Sequence, residues 1–510
     1  MMGSGLLHSS THSSLPISTH NSSSAQSLGQ LKTFISHPSD YATLIPCSCG
    51  RLFKTEESLA RHQADKNHAG KGRSCCSSLT GTATSLSTTE TSGNVTQDAN
   101  TNVPSQPAKS KKKAWLWNRA PKPAELVHTI LHSALVPSTT AVSSETGYQL
   151  VGSYNWQAEK PLTIQVPGNP RSTPKPMLLV ETDQGKGHAA IWKDLRFPLT
   201  LPPDRGTHFR DINTARLPKH PFEPMLRAAA SMNPHASFDD IDIIVNRSSL
   251  QKLLKFCTGW CPDDFRLSLH LVRNTLIIER CETQTHEFAR ESSNPRWGRT
   301  FERFSTKLPV GLERSLAHHR TLRYSLGALN CAVQFEVDAS YDPDGAKPTP
   351  SDAWASLEEE PSTLSAQPGK IESPPRRLRV DTGYPGARVM DQSTVAEIKT
   401  VTKNGSANSF MTQLWFGRTP WLIVAQHKEG TFNGMTITDA AALFAWWEDR
   451  HQETLRKLAT LLGELRAALQ KNRGRHSAAI FERGSGAIGI YDLMSDKQAV
   501  PTDLRRRLWT

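Results

Sequence analysis

The sequence has few cysteines, no long apolar run and no leader-like N-terminus, and each shortage excludes a class of protein. Eight cysteines in 510 residues are too few and too scattered for a disulfide scaffold, which favours a reducing compartment. No apolar run approaches the ~20 residues of a membrane-spanning helix. The N-terminus is rich in Ser, Thr and His and lacks the features of signal and transit peptides. We therefore expect a soluble intracellular protein that does not bind membranes.

Apolar residues are also scarce, and the charge balance is basic. Hydrophobic residues make up 37% of the chain, which is low for a fully folded protein and predicts a globular core accompanied by disordered segments. The formal net charge of +12 and the pI of about 9.3 favour a polyanionic partner, nucleic acid before membrane. Charge alone is equally compatible with a role in solubility. The sequence contains no internal repeat.

Changes in composition divide the chain into regions. The predicted regions are a disordered segment at 1–40, a compact metal module at 41–70, a low-complexity basic linker at 71–144, and an α/β domain at 145–510 with an acidic, Pro-rich insertion at 343–378. The linker contains a lysine run from Lys109 to Lys113. Such a run can be a nuclear localisation signal or an RNA-contacting patch, and a solvated linker is an equally good interpretation.

Hydrophobic periodicity predicts a domain that mixes helices and strands. The predicted strands are 265–271 (half-buried), 275–279, 333–339, 395–401, 419–425 and 434–438, and the predicted helices are 248–256, 409–416 and 439–471. Ser248 is the expected cap of the first helix. The long last helix has a leucine stripe at three-four spacing: Leu455, Leu458, Leu462, Leu465 and Leu469. We expect this stripe to face the core, with a partner helix as the alternative.

Four residues near the N-terminus have the spacing of a small zinc finger. Cys47 and Cys49 are followed after twelve residues by His62, and after five more by His68. Two thiolates on a hairpin and two imidazoles one helical turn apart can close a tetrahedral Zn²⁺ site, whose metal would supply the folding free energy. The single residue between the cysteines is shorter than usual. A loop with incidental Cys and His residues is the alternative.

The strongest chemistry lies in two predicted strands. Glu336 and Asp338 are two residues apart, as are Glu397 and Lys399, and residues with this spacing on a strand share a face. If the strands are neighbours, three carboxylates and an ammonium group converge. Such a cluster needs a cation, and its oxygen ligands suit Mg²⁺ or Mn²⁺. From the residues alone, a salt-bridged sheet face is the competing interpretation.

The order of several segments resembles the DXO/Rai-type decapping nucleases of the PD-(D/E)XK superfamily. These segments are 247–254 (Arg-Ser-Ser-Leu-Gln-Lys-Leu-Leu), 274–283 (Asn-Thr-Leu-Ile-Ile-Glu-Arg-Cys-Glu-Thr), 297–302 (Trp-Gly-Arg-Thr-Phe-Glu), 336–338, 397–399, Gln413, 417–425 and 427–431. The resemblance covers roughly residues 200–450. It implies a mixed, bent β-sheet flanked by helices, and hydrolysis at RNA 5′ ends that removes incomplete, aberrant or NAD-type caps.

The resemblance also implies roles for individual residues. Divalent metal would be held by Glu336, Asp338, Glu397 and the Ile398 carbonyl, with Glu302 completing the metal or water shell. Lys399 and Gln413 would position the water and the scissile phosphate. Arg247 would contact RNA phosphates, since its planar guanidinium suits them. Nuclear or nucleocytoplasmic residence and a 5′→3′ exoribonuclease partner are further expectations of the same kind.

The sequence departs from the family pattern in three places, and two other functions compete. The aromatic residue before Phe301 and Glu302 is displaced, an insertion separates the two metal-binding strands, and a finger is added. The first alternative is a catalytically silent module that binds RNA or an exoribonuclease. Retention of all six catalytic-type residues argues against it. The second is a zinc-finger DNA-binding regulator, which the acidic start of the finger helix at Glu56 and Glu57 disfavours.

We predict that the finger ligands bind one equivalent of Zn²⁺, because two thiolates and two imidazoles complete a closed site. Zinc should be measured by elemental analysis of the full chain and of Cys47→Ser/Cys49→Ser. The full chain should contain about one zinc more than the double variant. Equal zinc contents would rule out a finger at these residues.

Overall fold

The computed structural model describes residues 45–46, 52–53, 56–57, 60–61, 111–118, 125–158, 162–168, 187–289, 295–344, 377–383, 389–402, 407–474 and 476–510. The predicted zinc ligands Cys47, Cys49, His62 and His68 lie outside these residues, and so does most of the predicted insertion. The zinc site therefore stays a prediction. No helix among the described residues is long and apolar enough to cross a membrane.

The described residues form strands and helices in a mixed order. The strands are β1 (Ile45–Pro46), β2 (Leu52–Phe53), β3 (Glu125–Leu131), β4 (Gln149–Gln157), β5 (Thr163–Val166), β6 (Ile191–Trp192), β7 (Leu199–Thr200), β8 (Gly206–Phe209), β9 (Ile243–Asn246), β10 (Phe265–Val272), β11 (Thr275–Cys281), β12 (His286–Ala289), β13 (Thr306–Lys307), β14 (Ser315–Leu326), β15 (Leu329–Val337), β16 (Ala339–Ser340), β17 (Arg379–Thr382), β18 (Val395–Val401), β19 (Trp421–Lys428), β20 (Thr431–Asp439), β21 (Ser477–Phe481) and β22 (Ala487–Asp492). The helices are α1 (Ile212–Arg216), α2 (Glu223–Met232), α3 (Arg247–Cys257), α4 (Gly298–Ser305), α5 (Met411–Gly417), α6 (Phe444–Lys471) and α7 (Thr502–Leu508).

Two large mixed sheets dominate the fold, which confirms the predicted α/β class. The larger has eleven strands in the order β17-β5-β4-β14-β15-β9-β11-β10-β21-β22-β3, and the smaller has seven in the order β13-β6-β16-β18-β19-β20-β7. Strand β9 is parallel to both β11 and β15, while β14 and β15 are antiparallel. Two further sheets among the described residues are short strand pairs, β8–β12 and β1–β2.

The centre of the larger sheet is buried on both faces. On β9, Ile243 and Val245 enter the hydrophobic cluster that contains residues of α3, α5 and α6, whereas Ile244 enters a second cluster with residues of α2 and α7. Alternate side chains of a strand point to opposite faces, so helices cover this sheet on both sides. The strand predicted at 265–271 exists as β10, but it is buried on both faces rather than half-buried.

Most of the periodic segments have the predicted structure. The strand predicted at 395–401 coincides with β18, and the helix predicted at 409–416 corresponds to α5 after a 3-10 turn at Ala407–Ser409. The first helix is confirmed as α3, but its cap is Asn246, whose side chain accepts a hydrogen bond from the Ser249 amide, rather than Ser248. The leucine stripe of α6 is buried at all five positions, so it faces the core.

The region predicted as a basic linker contributes to the folded domain. Strand β3 pairs with β22 and forms one edge of the larger sheet, so the predicted linker at 71–144 ends too late. Of β3, Ile130 alone is buried, and an edge strand with so little apolar burial has a weak sequence pattern. The lysine run enters a 3-10 helix, Lys111–Trp117, in which Lys113 pairs with Glu482 at 2.9 Å.

The two large sheets are connected by one continuous run of chain. Strand β15 belongs to the larger sheet and β16 to the smaller, and Asp338 is the single residue between them. Strand β16 pairs antiparallel with β18, with Ala339 opposite Ala396. The junction therefore places Glu336, Asp338 and Glu397 in one neighbourhood.

We predict that Leu462→Ala, in the leucine stripe of α6, lowers the free energy of unfolding by about 2–5 kcal/mol, the usual effect of truncating a fully buried leucine. The change should be measured by urea denaturation. Leu131→Ala is the matched control, because Leu131 is 49% exposed at the sheet edge and its loss should change stability by at most about 0.5 kcal/mol. Equal effects of the two changes would contradict a core-facing stripe.

Candidate active site

The geometry of the site begins with two parallel strands that end side by side. In the register of β9 and β15, Asn246 lies opposite Gln334. Arg247, the first residue of α3, therefore emerges beside Phe335 and Glu336. Its guanidinium carbon lies 5.5 Å from the centre of the Phe335 ring. Arg247 thus faces the junction of the two sheets.

Glu397 is the centre of the hydrogen-bond network at this junction. Its side chain is nearly inaccessible to solvent, at 2% exposure for the residue. Arg247 donates from Nη1 to Glu397 Oε2 at 3.1 Å, and the other oxygen, Oε1, accepts from Lys399 Nζ and from Gln413 Nε2. Asp338 is held by the backbone of β18, since its Oδ2 accepts the Ile398 amide at 2.9 Å. Backbone and side chains therefore fix both metal-type carboxylates in place.

Helix α5 brings Gln413 to this network through contacts at its C-terminal end. Gln392, in the 3-10 turn before β18, donates from Nε2 to the carbonyls of Gly417 at 3.1 Å and Arg418 at 3.0 Å. A side chain at Gly417 would place its Cβ 2.7 Å from Thr419 Oγ1 and 3.1 Å from Arg247 Nη1. A larger residue at position 417 would therefore force the Thr419 and Arg247 side chains to shift.

Arg247 is 9% exposed, and the pair with Glu397 holds it in place. The structure thus orders this guanidinium at the site before any substrate is present. A contact from Arg247 to an RNA phosphate is not tested by this geometry and stays a prediction. Such a contact would use the guanidinium nitrogens other than Nη1, because the planar fork presents several donors.

Helix α4 supplies the fourth carboxylate, Glu302. The helix is anchored by Phe301, which is fully buried in the core of the smaller sheet. Its first turn is capped from outside by Asp204, whose Oδ1 accepts the Thr300 amide at 2.8 Å. An acidic residue at a helix N-terminus is favourable because it satisfies free amides and the helix dipole. The cap fixes the start of the helix that carries Glu302.

Glu302, Glu336 and Asp338 are destabilised as anions by burial and by neighbouring carboxylates, and the nearby cations offset this only in part. Burial and the charges of Asp338 and Glu336 raise the pKa of Glu302 well above its usual range. Burial and the charge of Glu397 raise the pKa of Asp338. Glu336 is exposed, but surrounding protein atoms partly desolvate its carboxylate and raise its pKa. Within the described part of the chain, Glu302 and Glu336 make no side-chain ion pair or hydrogen bond.

Glu397 and Lys399 behave in the opposite way. Burial alone would raise the pKa of Glu397, but the charges of Lys399 and Arg247 outweigh it and hold the pKa below its usual range. Burial would lower the pKa of Lys399, but Glu397 and Asp338 outweigh it and raise the pKa. At neutral pH the pair is therefore an ammonium and a carboxylate, stabilised by one another.

The donor set fits a hard divalent cation, although its oxygens are not gathered around one point. Among the residues that the structure describes, no three His, Cys, Asp or Glu side chains are arranged closely enough to hold a metal ion. Glu397 is turned towards its three donors, and Asp338 towards the Ile398 amide. Carboxylate oxygens are the ligands that Mg²⁺ and Mn²⁺ prefer. Burial is the largest cause of the raised pKa values of Glu302, Glu336 and Asp338, and the charges of neighbouring carboxylates add to it.

The structure also brings in residues that the sequence interpretation missed. Arg299 lies one turn before Glu302 on α4, and its charge lowers the pKa of both Glu302 and Glu336. The i,i+3 spacing of Arg299 and Glu302 was visible in the sequence and could have identified the pair. Asp204 is almost one hundred residues away from α4 in the chain, so no local pattern pointed to its role as a cap.

We predict that Glu302→Gln raises the thermal midpoint of the metal-free protein. Removing a charge whose ionised form is disfavoured should stabilise the fold by roughly 1 kcal/mol, or about 2 °C in a large domain. The same variant should lose most of the rise in midpoint that Mg²⁺ or Mn²⁺ produces in the unsubstituted chain. Thermal melting with and without metal measures both effects.

Glu453→Gln is the matched control, because Glu453 is exposed on α6 and pairs only with Lys457 among the described residues. It should change neither the metal-free midpoint nor the response to metal. A lower midpoint for Glu302→Gln, or an unchanged response to metal, would mean that Glu302 is not part of an uncompensated carboxylate cluster.

Comparisons with known proteins give distant structural likenesses and one family. The chain is similar to the Rai1 of S. pombe, solved in complex with 3′-FADP, with a TM-score of 0.41 and 11% identity over 71% of this chain and 98% of that one. Candida albicans Rai1 in complex with pU5-Mn²⁺ matches with a TM-score of 0.44 and 11% identity over 76% of this chain and 100% of that one. K. lactis Dxo1 in complex with manganese matches with a TM-score of 0.36 and 10% identity over 75% of this chain and 98% of that one.

No curated protein matches the sequence. A family model does match, and it spans residues 124–509, from the edge strand β3 to the end of the described domain. This span includes every residue of the carboxylate cluster and the helices that position it. The chain therefore belongs to the family described as Domain of unknown function (DUF8563).

Proposed function

We propose that the protein is a metal-dependent hydrolase that acts on RNA 5′ ends and removes incomplete, aberrant or NAD-type caps or pyrophosphate, with accompanying 5′→3′ exonuclease activity. The observation that supports this most is the meeting of four carboxylates with Lys399 at the junction of two sheets. The charges of Asp338 and Glu336 raise the pKa of Glu302, and the charge of Glu397 raises the pKa values of Asp338 and Lys399. The order of the sequence motifs, which resembles the DXO/Rai-type nucleases, supports the same function.

The residues of the site would have different roles in hydrolysis. Glu302, Glu336, Asp338 and Glu397 would hold Mg²⁺ or Mn²⁺, which when bound supplies positive charge that polarises the scissile phosphate. Lys399 is charged, and its ammonium would orient the attacking water or stabilise the negative charge that develops on phosphorus-bound oxygens. Gln413 would hold the same water through its amide, and Arg247 would hold a phosphate of the RNA.

One observation favours a second candidate, a catalytically silent RNA-binding or exoribonuclease-partner module. Both oxygens of Glu397 accept hydrogen bonds from protein donors, and Arg247 and Lys399 neutralise its charge. A site whose most buried carboxylate is satisfied by the protein has less need of a metal. The two candidates differ in one measurable respect, because only the hydrolase cleaves RNA.

We predict metal-dependent release of an end group from 5′-end-labelled RNA, and its loss in Glu336→Ala/Asp338→Ala by at least about 100-fold, because removing transition-state electrostatics has effects of this size. The substrates should be RNAs with triphosphate, unmethylated-cap, methylated-cap and NAD-type ends. Product release is followed with Mg²⁺, with Mn²⁺ and with a chelator.

The matched control is Asp449→Ala/Glu453→Ala, which removes two carboxylates from the exposed face of α6 and should leave the rate unchanged. If the unsubstituted chain releases no end group from any of the four RNAs but still binds them, the silent module is the correct function. Activity that persists in Glu336→Ala/Asp338→Ala would place the chemistry elsewhere.

A further inference from the structure

A small two-stranded arm stands next to the carboxylate cluster. Strands β8 and β12 pair antiparallel, with His286 opposite Phe209 and Phe288 opposite Thr207. Cross-strand partners share a face, as do residues two apart on one strand, so these four side chains lie on the same side of the arm. The rings of Phe209 and His286 are in contact, with centroids 4.8 Å apart.

This aromatic face borders a shallow depression of about 470 Å³. Its lining includes Phe288, His286, Thr207 and Gln284, so it combines two rings with hydroxyl and amide groups. Phe288 is 62% exposed, so its ring is accessible to a ligand. A flat apolar ring edged by polar groups offers a stacking surface with hydrogen-bond partners beside it.

The charge around the arm is positive. Glu282 pairs with two basic side chains, Lys252 and Arg280, both at 2.7 Å. Glu287 likewise pairs with Arg296 at 2.6 Å and Arg210 at 3.6 Å. Glu282, which lines the depression, and Glu287, which lies on the face of β12 opposite Phe288, are each outnumbered by cations. A surplus of guanidinium and ammonium groups around an exposed ring matches a polyanion that has flat, stackable groups.

The arm is connected to the carboxylate cluster by Arg299. This residue donates from Nη2 to the Phe209 carbonyl, at the end of β8, at 3.0 Å. It belongs to the same helix as Glu302, and its positive charge acts on Glu302 and Glu336. Arg299 therefore connects the end of the arm to the helix that carries Glu302.

We propose that the β8–β12 arm binds an unpaired base of a single-stranded RNA, which stacks on Phe288 and His286 while the 5′ end of the strand lies at the carboxylate cluster. The inference rests on the proposed function for the position of the 5′ end. A base inside a duplex has no free face, so the stacking selects single strands. Stacking on aromatic side chains is tolerant of sequence, because every base has a π-face.

The test measures binding without cleavage, so that it is independent of catalysis. The probe is a short 5′-monophosphorylated, 3′-fluorescein-labelled oligouridylate in EDTA, and the readout is fluorescence anisotropy with the full chain. Phe288→Ala should weaken binding at least about 5-fold, the effect of losing one stacked base. Phe288→Trp should bind as the unsubstituted chain does. Trp260→Ala, which removes a 71% exposed ring elsewhere, is the matched control and should have no effect.

A second set of probes locates the base. Each carries one abasic residue at a successive position, and one position should weaken binding to the unsubstituted chain as much as Phe288→Ala does. That probe should show no additional loss with Phe288→Ala, because both changes remove the same contact. A matching duplex RNA should bind equally to the unsubstituted chain and to Phe288→Ala.

The outcomes separate this inference from the proposed function. If Phe288→Ala binds all probes as the unsubstituted chain does, or if the unsubstituted chain binds no RNA, the stacking site is wrong. If the unsubstituted chain cleaves RNA but Phe288→Ala does not change RNA binding, the stacking site is wrong and the proposed hydrolase activity is not affected. If RNA binding depends on Phe288 but the chain hydrolyses no RNA, the stacking site is supported and the proposed hydrolase activity is wrong.

Discussion

The structure of the junction depends on one buried carboxylate. An ionised glutamate at 2% exposure would be costly without partners, and Glu397 has three, which come from the start of α3, from β18 itself and from α5. These bonds fix the positions of two helices relative to the smaller sheet. They also give the site its asymmetry. Lys399 and Arg247 outweigh the burial of Glu397, whereas the cations near Glu302, Glu336 and Asp338 offset burial and carboxylate repulsion only in part.

The sequence predicted the parts of this arrangement that are periodic or closely spaced. Strand β18 was found residue by residue, because Val395, Ala396 and Ile398 lie on a buried strand around a short polar motif. The core-facing stripe of α6 followed from the three-four spacing of its leucines. The i,i+2 spacing singled out Glu336 with Asp338 and Glu397 with Lys399, but it did not show that the first pair ends the larger sheet while the second lies on β18 of the smaller sheet. Their roles in catalysis stay predictions.

The rest depended on contacts between residues far apart in the chain. The Arg247–Glu397 pair joins residues 150 positions apart, so no local pattern identifies it. The burial of β10 on both faces is a consequence of two helical layers whose positions no single strand encodes. Strand β3 was missed because an edge strand buries little apolar surface. The cap of α3 was misassigned because Asn246 and Ser248 are both good capping residues, and only the backbone conformation separates them.

The passage of one strand from the larger sheet to the smaller has a geometric consequence. Glu336 moves with the first sheet and Glu397 with the second, and Asp338 is the single residue between them. The distances among these oxygens are therefore set by the angle between the two sheets. Mg²⁺ demands oxygens at about 2.0–2.1 Å in a nearly ideal octahedron, whereas Ca²⁺ accepts about 2.3–2.6 Å and looser geometry. In the proposed metal-dependent hydrolase, the choice of ion would therefore depend on how the two sheets pack, and substitutions in the hydrophobic clusters could change it without replacing a carboxylate.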